Sequence, residues 1–230
     1  MITTLLPSSH RQTQQVVLEG VTWQTYQALL QELGNQRSSR LAYDQGILEI
    51  IMPSELHEII NRLLELIITA LTDELRMKIK GYGSITLDRE DLARGVEPDS
   101  CFYIQNVERI LGRKLDISTD PPPNLAIEVD ISSSSRRRFN IYLQLRIPEV
   151  WRYTQQDGMV IYQLQGNEYV ECQFSPTFPY VSGATLWQFL QLAETEDDNG
   201  VIRALRQWLK TQVQENSKPR EEINCDRLSG

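Results

Sequence analysis

Cysteine, histidine and basic charge are all scarce in this 230-residue chain, and each shortage narrows what the chain can be. The three cysteines, Cys101, Cys172 and Cys225, are far apart and odd in number. They form no metal-knuckle spacing, which argues against a structural zinc site, and they read as reduced thiols of a cytoplasmic protein. Of the two histidines, His10 falls in a polar, unpatterned segment, which leaves His57 as the candidate for chemistry. Lysine and arginine total 23 against 31 aspartates and glutamates, a formal charge of −8. That balance excludes a protein that coats nucleic acid through bulk electrostatics, because phosphate binding needs a clustered basic face. It leaves room for an enzyme that meets nucleic acid through one local patch and a metal ion.

Long apolar runs are missing too. Charge interrupts every such stretch well short of the ~20 residues of a membrane span. The opening MITTLLPSSHRQTQQ has no basic start followed by an apolar core, so secretion is not expected. Neither an internal repeat nor a Gly-rich phosphate loop of the Walker or dinucleotide type occurs. What is present is an ordinary globular composition, 40% hydrophobic and 23% charged, in a chain long enough to bury a core without disulfide or metal staples.

Periodicity organises the chain into one domain over 18–213, with a mobile arm over 1–17 and a disordered polar tail over 214–230. Thr22 can cap a helix that runs to Leu33, with Leu29, Leu30 and Leu33 inward and Gly34 as its stop. SRLAYDQGILEIIM reads as a hairpin around Asp44-Gln45-Gly46. Pro53 and Ser54 open the strongest helix. Its stripe is Leu56, Ile59, Ile60, Leu63, Leu64, Ile67, Ile68, Leu71 and Leu75. MKIKGYGSITL reads as strand, Gly-rich turn and strand, DREDLARGVE as a charged loop, and PDSCFYI as a strand. A short helix over 106–111 leads through Pro121-Pro122-Pro123 to NLAIEVDI. The segment 150–174 alternates as an antiparallel meander, and helices over 186–194 and 201–213 close the chain. The sum is an α+β fold: a central mixed sheet, a long helix packed on it, and short flanking helices.

The chemistry lies in acids. Along NLAIEVDI, Glu128 and Asp130 leave one face of the strand, opposite Leu125, Ile127 and Val129. Unpaired carboxylates are costly to desolvate, so they need a partner. Asp99, at the head of PDSCFYI, can supply one if the strands are neighbours, and Asp99 and Glu128 would then converge on a hard divalent cation. Equally open is a plainer arrangement, in which these acids are solvated strand ends or pair with arginines.

Arg136, Arg137 and Arg138 begin the next helix, where cations oppose the helix dipole. That placement makes sense beside a phosphate or a carboxylate, or as a solvated basic turn. Ser132 to Ser135 offer capping chemistry and no nucleophile, since no base is paired with them. His57 and Glu58 lie in the first turn of the long helix, off its stripe, where a polar residue caps, faces solvent or serves a site. Trp151, Tyr153, Tyr162 and Tyr169 read as core and cross-strand partners rather than base-stacking platforms, and Cys101 as packing.

MPSELHE, EPDSCFYI, LAIEVDISSSS and IYLQLRIPEVWRY with its following hairpin run in order over 18–192. In these four pieces the chain resembles the Uma family of putative restriction endonucleases, a branch of the PD-(D/E)xK nuclease superfamily. One piece alone is weak; four in order are specific. The resemblance implies a restriction-endonuclease-like core with a C-terminal antiparallel meander. It also implies magnesium, with manganese as a substitute, bound by Asp99 and Glu128, and Glu58 as an extra ligand beside His57. DNA would be the substrate, with no membrane involved. A twofold homodimer follows from analogy with nucleases that cut both strands. One departure stands out: the usual lysine, two residues after the glutamate, is Asp130 here. The resemblance places a basic residue instead at the next helix, Arg138, too basic to act as a general base but able to stabilise phosphorane charge. Asp130 could then be a third carboxylate on the metal. The alternative implied by the lost lysine is a degenerate nuclease fold that binds nucleic acid or a protein without cutting.

Overall fold

The computed structural model describes residues 13–34, 37–131 and 135–217. Strand β1 (Gln14–Leu18) leads to helix α1 (Trp23–Leu33), hairpin strands β2 (Arg40–Asp44) and β3 (Ile47–Met52), and the long helix α2 (Glu55–Glu74). Four short strands follow, β4 (Lys80–Gly83), β5 (Leu87–Arg89), β6 (Arg94–Val96) and β7 (Ser100–Tyr103). After α3 (Val107–Ile110) come β8 (Leu125–Asp130), α4 (Arg136–Leu145), the meander β9 (Glu149–Thr154), β10 (Gly158–Gln165) and β11 (Glu168–Cys172), then α5 (Gly183–Leu192) and α6 (Asp198–Ser217).

These strands form two sheets, not one. The central mixed sheet has six strands in the order β11-β10-β9-β8-β7-β4. Only its β8–β9 pair is parallel, because α4 carries the chain across between those two strands. The second sheet, β1-β3-β2-β6-β5, is antiparallel throughout. Leu125, Ile127 and Val129 of β8 pack with Leu63, Leu64, Ile67 and Ile68 of α2. Ala126 points to the opposite side, into a cluster with Ile141, Tyr142 and Leu145 of α4 and with Ala42, Leu87 and Val96 of the second sheet. Helix α4 is thus enclosed between the sheets. Every residue of β8 is buried, so the face expected to be polar is polar and interior.

Local signals act as expected at several ends. Thr22 Oγ1 accepts from Thr25 N–H, Gly34 ends α1 with φ 65°, and Ser54 Oγ accepts from His57 N–H. The β2–β3 turn carries positive φ at both Gln45 and Gly46, the geometry that matches strand twist in a two-residue hairpin.

Other expectations are corrected. Gln14–Leu18, of which all but Leu18 falls in the segment read as an arm, pairs with β3; both its faces are exposed, so it shows no burial pattern and is held by its backbone ladder. Residues 1–12, with His10, lie outside the described residues. Helix α6 extends to Ser217, into the segment read as a tail, while 218–230, with Cys225, again lie outside. MKIKGYGSITL holds the expected strand and the start of a second, but the two do not pair: β4 joins β7 and β5 joins β6, in different sheets. The charged loop DREDLARGVE supplies β6. In α1, Leu29 and Leu30 pack inward as expected, but the fully buried residue is Tyr26, stacked on Tyr43 at 5.0 Å, and Leu33 is exposed. In α2, Ile59 is exposed and His57 and Asn61 are buried, because the helix start rests on the acidic end of β7 rather than on apolar core.

Candidate functional site

Strands β7 and β8 run antiparallel with Ser100 opposite Ile127. Just before β7, Asp99 therefore stands across from Glu128. Its N–H donates to Ile127 O at 3.2 Å, and its Oδ2 accepts from Val129 N–H at 2.7 Å. Its carbonyl accepts from Asn61 Nδ2 at 3.3 Å and from Ser100 Oγ at 2.8 Å. Backbone and side chain of Asp99 are thus locked to the two strands. The α2 start brings His57 Nε2 to 3.0 Å from Asp99 Oδ2, and β2 brings Arg40 Nε to 3.2 Å from Oδ1. Arg40 Nη2 also lies 3.0 Å from Glu58 Oε1. Asp99 and His57 are each 2% exposed, whereas the Glu58 side chain is 53% exposed.

Glu128 is fully buried and meets α4. Arg138 and Tyr142 stand four residues apart, on one helix face. The Tyr142 hydroxyl donates to Glu128 Oε1, and Arg138 Nη2 lies 2.8 Å from Oε2. That same nitrogen lies 3.1 Å from Asp130 Oδ1. Asp130 Oδ2 accepts from Ser135 N–H at 2.9 Å, Ser135 Oγ at 2.8 Å and Arg152 Nε at 2.7 Å. Ser135 is the N-cap of α4, but its hydroxyl serves Asp130 rather than the helix; Ser132 to Ser134 lie outside the described residues. Of the arginine triplet, Arg138 faces these acids and Arg137 faces Glu49 at 3.3 Å, so the anions beside the helix start are the protein's own carboxylates.

The environments push the two central acids apart. Burial raises Glu128 above the usual carboxylate range; Arg138 opposes this, and the charges of Asp99 and Asp130 add to it. Burial would raise Asp99 as well, but the His57 hydrogen bond and the charges of His57, Arg138 and Arg40 outweigh it and hold that carboxyl low. Glu58 is lowered by His57 and Arg40.

For His57, burial alone favours the neutral ring, yet its contact with Asp99 at 3.0 Å and the Glu58 carboxylate 3.7 Å from Nδ1 prevail and push it up to about 9 from 6.5. A raised folded-state value means that the stabilisation from His57 is complete below pH 6.5 and is lost as the pH climbs through 9. Tm should therefore fall across that window, and the slope should flatten in His57→Gln. Equal slopes in the two proteins, measured by thermal melts in a buffer series, would refute the assignment.

The sequence model of the Uma2 family, described as a putative restriction endonuclease, matches residues 23–193. The chain belongs to this family. Among solved structures it is similar to a putative nuclease of the DUF820 family from Anabaena variabilis ATCC 29413. The two share 16% identity at a TM-score of 0.50, over 73% of this chain and 98% of that one. At that identity the likeness shows the fold alone. No curated protein matches the chain.

For a Uma2 member, the metal implied by the nuclease fold meets suitable donors here. Asp99 and Glu128 offer hard oxygens side by side, and Asp99 Oδ1 and Glu128 Oε2 are buried without accepting a hydrogen bond. Those two oxygens face Arg40 Nε and Arg138 Nη2 as ion pairs, off the hydrogen-bond line. Among the described residues, no three His, Cys, Asp or Glu side chains stand together as a ready metal cage. The expected third ligands do not join the pair: Glu58 turns to Arg40 and His57, and Asp130 to Arg138, Arg152 and Ser135. The pair fits a divalent cation in kind, with two guanidinium groups beside the oxygens it would use.

A cleft of about 1020 Å³ is lined by Arg37, Arg40, Glu58, Tyr82, Glu97 and Lys114 among others, so Arg40 and Glu58 belong to both cleft and cluster. Sequence reasoning missed Arg40, Tyr142 and Arg152. Tyr142 was within reach, four residues after Arg138 on a helix. Arg152 required the parallel register that sets it opposite Glu128, and Arg40 required the second sheet. The meander aromatics pack as expected, with Trp151 and Tyr153 fully buried and Tyr162 and Tyr169 edge-on to Phe139. No helix among the described residues is long and apolar enough to cross a membrane.

Proposed function

We propose that this nuclease-family chain is an endonuclease that hydrolyses DNA phosphodiester bonds, using Mg²⁺, or Mn²⁺ in its place, at Asp99 and Glu128. The observation that carries this reading is the juxtaposition of Asp99 and Glu128 across β7–β8 with the Arg138 guanidinium at the same point. When bound, the metal supplies water activation and charge stabilisation on the phosphate. Arg138 takes over the electrophilic duty of the missing lysine: always charged, it can stabilise negative charge on phosphorus but cannot act as a base. His57, as an imidazolium, fixes Asp99 in its ionised form. Tyr142 orients Glu128, and Asp130 holds Arg138 and Arg152 rather than a metal. Glu58 and Arg40 form the mouth through which a phosphate would enter. Cutting both strands calls for two such centres, hence a homodimer.

The test is nicking of supercoiled plasmid by purified protein in Mg²⁺ and in Mn²⁺, with EDTA and Glu128→Ala as controls. Cutting by the wild type alone, abolished by EDTA, is expected. A second reading, binding without cleavage, draws on the protein cations that face the central carboxylates. It predicts that DNA or RNA retardation on gels persists in EDTA and in Glu128→Ala, with no nicking on any plasmid.

A further inference from the structure

We propose that Arg138 is an internal competitor for the cation of this site: its guanidinium closes the metal-free centre and must leave Glu128 before a divalent ion can use that carboxylate. The inference rests on the nuclease reading above and adds how the site is kept shut.

Three observations converge on it. First, Glu128 Oε2 is buried and accepts no hydrogen bond, yet Arg138 Nη2 stands 2.8 Å away, on the oxygen a metal would need. Second, every carboxylate of the cluster already has a basic side chain against it. The carboxylates Glu58, Asp99, Glu128 and Asp130 face the guanidinium groups of Arg40, Arg138 and Arg152 and the imidazole of His57. A divalent ion brought to these oxygens would stand directly against the guanidinium groups of Arg40 and Arg138, a like-charge contact that a buried, low-dielectric site penalises heavily. One cation has to give way.

Third, the contacts single out which one. Arg40 is anchored on Glu58 as well as on Asp99, and the ion pair of Arg152 is with Asp130. Arg138 is held to both its carboxylates through the same nitrogen, Nη2, and its Nε is buried without a hydrogen-bond partner. This is far from the two-pronged grip that makes arginine–carboxylate pairs strong. If Arg138 withdraws, Asp130 keeps Ser135 and Arg152.

The experiment is a thermal-shift titration with MnCl₂, and separately MgCl₂, after EDTA treatment, on the full chain, Arg138→Met and Arg138→Lys. Arg138→Met should reach its half-maximal shift at a metal concentration lower than wild type by at least about 10-fold, the scale on which groups behind a ligand alter metal affinity. Arg138→Lys, with a compact charge on a shorter reach, should fall between. A midpoint equal to or above that of the wild type overturns the proposal while leaving the metal reading intact. Should Arg138→Met not fold, the lysine variant decides alone, and an unchanged midpoint overturns it. A shift in none of the proteins overturns both this proposal and the metal reading beneath it.

Discussion

Asp99→Asn is expected to lower the plasmid-nicking rate by at least about 100-fold, the upper end of what a change around a metal site costs and the lower end for a lost electrostatic group. The substitution is nearly isosteric, and an amide oxygen can still accept from Val129 N–H, so the β7–β8 junction should persist. What disappears is charge. His57 and Arg40 both lose their buried counter-ion, and the pair with Glu128 loses its ionised member. Circular dichroism and the melting curve serve as the folding control beside the nicking assay. A variant that is folded and nicks within about threefold of wild type would remove Asp99 from the reacting centre, a change under 1 kcal/mol in barrier.

The largest stability loss should come from Arg138→Ala in metal-free buffer. Arg138 is 2% exposed and faces a fully buried Glu128, so its removal leaves carboxylate charge in the interior with one cation fewer. Breaking a buried pair from one side typically costs about 3–5 kcal/mol. For a domain of this size that is a fall in Tm of roughly 6–20 °C. Glu128 already sits high in its titration because of burial and its acidic neighbours, so the variant should partly recover as the pH is lowered and Glu128 takes up a proton. Adding Glu128→Gln to Arg138→Ala should recover much of the loss at neutral pH by the same logic. A drop of only a degree or two would mean that water, not Arg138, compensates Glu128, and the closed centre described here would be wrong.

Much of this arrangement was legible before any coordinates. The alternation of Leu125, Ile127 and Val129 against Glu128 and Asp130 defines both the strand and the face on which its acids lie, because a strand places alternate side chains on opposite sides. Ser54, Thr22 and Gly34 mark helix ends through hydrogen bonds made within a few residues. Asp99 could be named as partner of Glu128 by its position at a strand head, and Arg138 as the displaced basic residue by the family pattern. Family membership, too, follows from motifs in sequence order.

The rest depended on which segments meet. Whether Arg136, Arg137 and Arg138 face a phosphate, a carboxylate or water is undecidable from their position alone; enclosure of α4 between two sheets turns Arg138 onto Glu128. Whether His57 caps, faces solvent or serves a site is undecidable from helical spacing, which sees only its own helix; it is buried because α2 starts against Asp99. β1 was invisible, being held by backbone pairing with both faces in solvent. The sequence by itself determined most of the elements, the family and the choice of the central acids, since these are encoded at separations of a few residues. Only the tertiary structure decided which cation faces which acid, because that balance is set by burial and by strands and helices brought together from distant parts of the chain.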